Sequence, residues 1–163
     1  MRSTFLAADP AARFRNFESF FDTLFQIMGR PEAWRELPRA RKLLVELRSR
    51  RWATGIVSNF DRRLLAILES LGLALLFDTV VLASDVGSAK PDPAIFHRAL
   101  ERLGVSRRDA IVVGDDPVQD LEGARNAGLR ALHVDSLAKL SELVDQLETA
   151  FARPGYITGG GVR

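Results

Sequence analysis

The chain has 163 residues, 47% of them apolar and 27% charged, which is enough to bury the core of one globular domain. Its 23 basic and 21 acidic residues leave a net charge of +2, too little for a polyanion-binding surface; the basic cluster in "PRARKLLVELRSRRW" interleaves with leucines at helical spacing, as a solvated helix face does. Lack of cysteine excludes disulfides, thiolate metal sites and cysteine nucleophiles; no apolar run reaches the roughly 20 residues of a membrane span and "MRSTFLAADP" is not patterned as a signal peptide, so the expectation is a cytoplasmic protein with no nucleic-acid or membrane partner.

From Asp9 the pattern is helical. Asp9 can cap, Pro10 suits the first helical position, and Phe14, Phe17, Phe21, Leu24 and Met28 recur at spacings of three and four until Gly29 and Pro31. Six of the ten phenylalanines fall within the first 25 residues, and Phe20 and Phe25 widen the stripe beyond one face. This helix should pack against something substantial. A second helix follows Pro38 through "RARKLLVELRSR", with Trp34 and Trp52 read as packing residues on either side of it. Strand "WATGIVS" then ends at Ser58 and Asn59. Next come helix "RRLLAILESLG", strand "FDTVVLAS", helix "PAIFHRALERLG", strand "AIVVG", helix "VQDLEGARNAG", strand "LRALHV" and closing helix "LAKLSELVDQLETAF". The glycine-rich tail "RPGYITGGGVR" reads as flexible. His97 and His133 are assigned to structure: the first lies on a helix pattern, and the second is in the last strand with no acid placed to orient it.

Strands alternating with helices of ten or more residues mean parallel βαβ units, hence an α/β, Rossmann-like doubly wound sheet. Ligands bind such sheets at the carboxyl ends of the strands. Those ends carry Ser58 and Asn59, then Ser84 and Asp85, then Gly114 to Asp116. Ser58 and Asn59, with the N–H groups of a following helix, can cradle a phosphate, or "SNFD" can simply cap that helix. Lys90, in "SAKPDPAIF", is held in a proline-braced loop, which suits either a functional cation or an ordinary surface lysine. Asp115 and Asp120, with Asp116 as a third ligand or outer acceptor, offer the carboxylates that Mg²⁺ prefers, while Asp116 before Pro117 also fits a helix cap.

In this order, "SNFD", "KPDP" and "GDDPVQD", each at a strand's end, resemble the second, third and fourth motifs of the haloacid dehalogenase (HAD) superfamily, over roughly Pro38 to the closing helix. The resemblance implies that Ser58 and Asn59 bind the transferring phosphoryl group. It implies that Lys90 neutralises charge on that group and on the nucleophile, and that Asp115 and Asp120 hold Mg²⁺. The "GDD…D" form is similar to the Mg²⁺-dependent phosphatases, which implies a small phosphorylated metabolite as substrate.

The family's first motif is an aspartate nucleophile with a second aspartate two residues later, at the end of a strand in the middle of the sheet. No such pair precedes Ser58: Asp9 is followed by Ala11 two residues on, and Asp22 by Leu24. The reading is therefore a capped hydrolase that begins inside its cap. Residues 1–37 would be a remnant of the helical cap, 38–151 an α/β core without its first strand, and 152–163 a flexible tail. Such a chain should be inactive or nearly so alone, hold Mg²⁺ weakly, and self-associate through exposed strand edges and the Phe-rich helix. Three accounts stay open: a truncated enzyme, a binding or split module whose partner supplies the strand, or a generic α/β regulatory domain whose acids merely bind an ion.

Overall fold

The computed structural model describes residues 13–134 and 137–152. The chain divides into two compact units, Met1–Arg35 and Glu36–Arg163. The expected cap at Asp9 with Pro10, and the tail from residue 153, lie outside the described residues.

In the first unit, helix α1 (Phe17–Met28) starts later than the phenylalanine period suggested. The signal is Asn16, in extended conformation, whose Oδ1 accepts the Ser19 N–H at 3.1 Å and satisfies an otherwise unpaired donor of the first turn. At the other end Gly29 donates to the carbonyls of Phe25 and Gln26, and the Trp34 indole N–H reaches the Met28 carbonyl at 2.8 Å. Phe14–Phe17, Phe17–Phe21 and Phe21–Phe25 form a ladder with centroids 5.2, 6.2 and 6.1 Å apart. No residue of α1 is buried within this structure.

The second unit runs α2 (Ala40–Ser49), β1 (Gly55–Ser58), α3 (Arg63–Ser70), β2 (Thr79–Leu82), α4 (Ala83–Val86), α5 (Pro93–Leu103), β3 (Ile111–Gly114), α6 (Gly123–Asn126), β4 (Arg130–His133) and α7 (Leu137–Ala152). Local chemistry sets most boundaries. Asp92 caps α5 by accepting the Ala94 N–H at 2.8 Å, Pro93 occupies the first turn, and Gly104 at φ 66° ends the helix. Arg41 places its guanidinium on the carbonyls of Leu71 and Gly72, at 2.6 and 2.9 Å, so a cation sits at the negative end of α3.

The class is mixed α/β with parallel strands, but the strands form two separate pairs instead of one sheet. In β1–β2, Gly55 lies opposite Thr79 and Ser58 opposite Leu82; in β3–β4, Ile111 lies opposite Arg130 and Gly114 opposite His133. Among the described residues no strand joins the two pairs.

Two elements differ from expectation. The second strand stops at Leu82, and Ala83–Val86 form a helical turn closed by Gly87 at φ 75°. Ser84 and Asp85 therefore do not end a strand; Asp85 instead pairs with Arg62 at 3.0 Å. The segment after β3 is not a continuous α-helix either. Pro117–Glu122 form a wider π-helical turn before α6.

Side-chain alternation along the strands separates two apolar cores. On one face Val112 and Ala131 meet a cluster of Val81, Ile95, Phe96, Ala99 and Ala124. On the other, Ile111 and Leu132 meet Leu47, Leu143, Val144 and Leu147, with Trp52 packed alongside. Ile95 and Phe96 are at most 1% exposed, each contributing roughly 1.5–3 kcal/mol of apolar burial. Val81 and Leu82 of β2 are fully buried, whereas no residue of β1 or β3 is, and Val113 is 38% exposed. A sheet's central strands are normally its most covered.

Candidate active site

The carboxyl ends of β1 and β3 and the loop before α5 bring the polar residues together. Lys90 Nζ donates to Asp120 Oδ1 at 2.6 Å, and the two side chains are 15% and 11% exposed. A charge-assisted bond of this length, largely shielded from water, fixes both groups. Asp120 Oδ2 also accepts the Asp116 N–H at 3.2 Å. Gly114 makes room for this arrangement: a Cβ there would lie 2.4 Å from both Cβ and Oδ2 of Asp120.

Asn59 turns away from the helix that follows it and brackets the Lys90 backbone. Its Oδ1 accepts the Lys90 N–H at 2.7 Å, and its Nδ2 donates to the Lys90 carbonyl at 3.0 Å and to Gln119 Oε1 at 2.8 Å. Ser58 Oγ accepts the Phe60 N–H at 3.1 Å. Capping near α3 falls to Asp61, whose Oδ1 accepts the Arg63 N–H at 3.0 Å. The Arg63 guanidinium holds the Asp61 carboxyl below its ordinary value. The two readings of "SNFD" thus divide by residue.

Asp116 is engaged as a cap. Its Oδ1 accepts the N–H groups of Val118 and Gln119 at 2.9 and 2.8 Å, and its Oδ2 accepts Gln119 Nε2 at 2.9 Å. These bonds, the Gln119 N–H foremost, hold its carboxyl below the usual aspartate range. Asp115 is exposed, with His133 Nε2 at 3.2 Å from its carbonyl. His97 Nε2 lies 3.2 Å from the Ala127 carbonyl and connects α5 to the end of α6.

A cavity of about 700 Å³ opens between β1 and β3. Val57, Val113 and Phe96 are among its apolar walls, and Lys90, Asp115 and Asp120 are among its polar residues, with Arg51, Thr54 and Asp109; Ser58, Asn59 and Asp116 lie outside the lining. Among the described residues no three His, Cys, Asp or Glu side chains converge as a metal cluster. Of the three aspartates in the lining, Asp109 precedes β3 while Asp115 and Asp120 follow it; those two, completed by water, offer the oxygen ligands that Mg²⁺ takes, an ion that keeps several waters in most protein sites. Asp115 and Asp120 would hold the ion; Asp116 is turned to its own helix turn.

Sequence reasoning assigned no role to Gln119, although Asp116-x-x-Gln119 has the spacing of a capping box, in which the third helical residue reaches back to the cap. Its second contact, to Asn59, crosses 60 positions of sequence and carried no local signal.

Residues 3–128 match the profile of the haloacid dehalogenase-like hydrolase family. The chain is 38% identical over 122 residues to haloacid dehalogenase-like hydrolase domain-containing protein 3 of Danio rerio, covering 75% of this chain and 49% of that protein. It is 37% identical over 131 residues to phosphoserine phosphatase of Thermus thermophilus, covering 71% and 53%. The crystal structure of a HAD phosphatase from Thermococcus onnurineus superposes with a TM-score of 0.70 at 30% identity, over 79% of this chain and 69% of that one. The chain spans about half the length of the curated relatives it matches. With the profile covering most of the sequence and the Lys90–Asp120 pair at the strand ends, the chain belongs to the haloacid dehalogenase-like hydrolase family.

Proposed function

We propose that this site is the phosphoryl-binding part of a Mg²⁺-dependent phosphatase for small phosphorylated metabolites, and that the 163-residue chain alone is inactive or nearly so. The observation that carries the reading is the shielded Lys90–Asp120 pair facing the cavity between β1 and β3. Lys90 presents a fixed cation for a phosphoryl oxygen. Ser58 Oγ already accepts the Phe60 N–H, which leaves its hydroxyl proton to donate to a second oxygen. Asp115 and Asp120 are the carboxylates for the metal, which when bound supplies positive charge to offset that on the transferring group. Asp120 would then be shared between the ion and Lys90.

The inactivity follows from what an acyl-phosphate route requires: positioning and charge cannot replace a covalent acceptor. No aspartate pair two residues apart precedes Ser58. The cleft between β1 and β3 supports the reading that a strand carrying the nucleophile belongs there. The low burial of β1 and β3 agrees with it.

The same cleft favours one second reading, a binding or split module whose strand comes from another polypeptide. Open ladder edges are templates for pairing, including with a second copy of this chain. Purified monomer assayed with p-nitrophenyl phosphate and Mg²⁺ separates the cases. No turnover is expected, and turnover by the monomer would overturn the missing-nucleophile reading. Inorganic phosphate should bind, and more weakly after Lys90→Ala; unchanged affinity would remove the phosphatase assignment. Stoichiometric co-purification of a small partner bearing a strand that ends in Asp-x-Asp would establish the split form.

A further inference from the structure

Asn59 makes three hydrogen bonds, none of them with a group on the cavity wall other than the Lys90 backbone. Together with Gln119 it forms a chain of bonds with a single permitted direction. The Asp116 carboxylate can only accept, so Gln119 must turn Nε2 toward it, at 2.9 Å. That places Gln119 Oε1 toward Asn59, which must answer with Nδ2, at 2.8 Å. Asn59 Oδ1 is then left to accept the Lys90 N–H, at 2.7 Å, while Nδ2 also meets the Lys90 carbonyl at 3.0 Å. Turning either amide over would set oxygen against oxygen at one end and nitrogen against an N–H at the other.

We propose that Asn59 and Gln119 are positioning residues. They form a one-way amide relay, anchored on Asp116, that clamps the Lys90 backbone at both its N–H and its carbonyl and so aims the ammonium at Asp120 and the cavity. The relay also spans the two strand pairs: Asn59 follows β1, and Asp116 and Gln119 follow β3. It is thus a polar tie between half-sheets that share no ladder hydrogen bond. Asn59 serves an anionic ligand through Lys90 and not by touching it. The ligand in this statement rests on the phosphatase reading; the clamp does not.

Two measurements on the full chain test the two parts separately. Amide hydrogen exchange at Lys90, followed by NMR, reads the clamp without any ligand. Asn59→Ala should speed that exchange on the order of tenfold or more, and Gln119→Ala by several-fold, as expected for removing one or two net hydrogen bonds. Gln119→Met keeps the volume without the amide and should behave as Gln119→Ala, with helix content retained. Unchanged Lys90 exchange in these variants would overturn the relay. For the ligand part, inorganic phosphate is titrated into the parent, Asn59→Ala, Lys90→Ala and the double variant. Asn59→Ala should weaken phosphate several-fold in the parent and cause no further loss once Lys90 is alanine. An equal loss in both backgrounds would make Asn59 a direct ligand and sink the positioning claim. If Lys90→Ala leaves phosphate affinity unchanged, the phosphatase reading fails, and so does the ligand half of this proposal; Lys90 exchange still decides the clamp.

Discussion

Gly114→Ala should be among the most damaging single-methyl additions in this protein. A Cβ at position 114 would lie 2.4 Å from Cβ and Oδ2 of Asp120 and 2.5 Å from its Cγ, against the ~3.5–4.0 Å at which carbon atoms rest. Asp120 cannot move aside without giving up its bonds. It is 8% exposed, its Oδ1 is held by Lys90 at 2.6 Å, and its Oδ2 accepts the Asp116 N–H. Relief requires either a shift of β3 or rotation of Asp120 out of its place, which leaves a shielded lysine without its counter-charge. Overpacking costs about 1–3 kcal/mol, and breaking a well-buried pair about 3–5 kcal/mol; since this pair keeps some water contact and only one escape route is taken, about 2–4 kcal/mol is expected. That is a large share of the ~5–15 kcal/mol that stabilises a typical domain. Urea unfolding followed by tryptophan fluorescence measures it, with Gly104→Ala as the control. Gly104 has φ 66° but nothing within 4 Å of a built Cβ, so its cost should be the backbone term alone, about 1–2 kcal/mol. A Gly114→Ala protein no less stable than the Gly104→Ala control would refute the close approach of Asp120 to β3.

Gly123→Ala is expected to act on the Lys90 loop from the other side. Its Cβ would meet Phe96 Cε2 and Pro91 Cα at 2.9 Å, so stability should fall by about 1–3 kcal/mol and phosphate affinity with it; loss of stability with phosphate affinity intact would separate this contact from the site. Asp116 gives a pH dependence. Its carboxyl is held below the usual aspartate range because backbone N–H groups of Gln119 and Val118 bond the ionised form. Its contribution is therefore complete above the unfolded value and lost as pH falls through the lower folded one. Carbon-detected NMR titration should place the Asp116 midpoint below that of an unstructured aspartate, and Asp116→Asn should flatten the acid side of the stability profile. Arg41→Met should cost about 1 kcal/mol by freeing the carbonyls of Leu71 and Gly72, measured by the same urea unfolding; a neutral result would mean that water replaces the guanidinium without loss.

The helix with its cap at Asp92, Pro93 in the first turn and Gly104 beyond its end was legible because every term acts within a few residues. Lys90 was tied to Asp115 and Asp120 in the sequence only by the resemblance to the family's ordered motifs; the structure brings Lys90 and Asp120 into contact and sets Asp115 in the lining of the same cavity. The end of β2 was not legible. "VLAS" suits a strand, and only Gly87 at φ 75°, with its N–H on the Ala83 carbonyl, reveals the turn that takes Ser84 and Asp85 out of it. Nor could "SNFD" be divided from sequence, since Ser, Asn and Asp cap equally well until the fold decides which backbone lies within reach.

Sequence alone determined the class, the ends of the Pro93–Leu103 helix and the order of the polar motifs, because side-chain periodicity and capping are local and survive without a partner. Tertiary structure decided what those motifs touch. It set Asn59 on the Lys90 loop and Gln119 between Asn59 and Asp116, and it pressed Asp120 against a glycine. It also decided that the strands close into two pairs around a cavity. Ladder hydrogen bonds join segments distant in sequence, and which edges find each other depends on every layer packed around them.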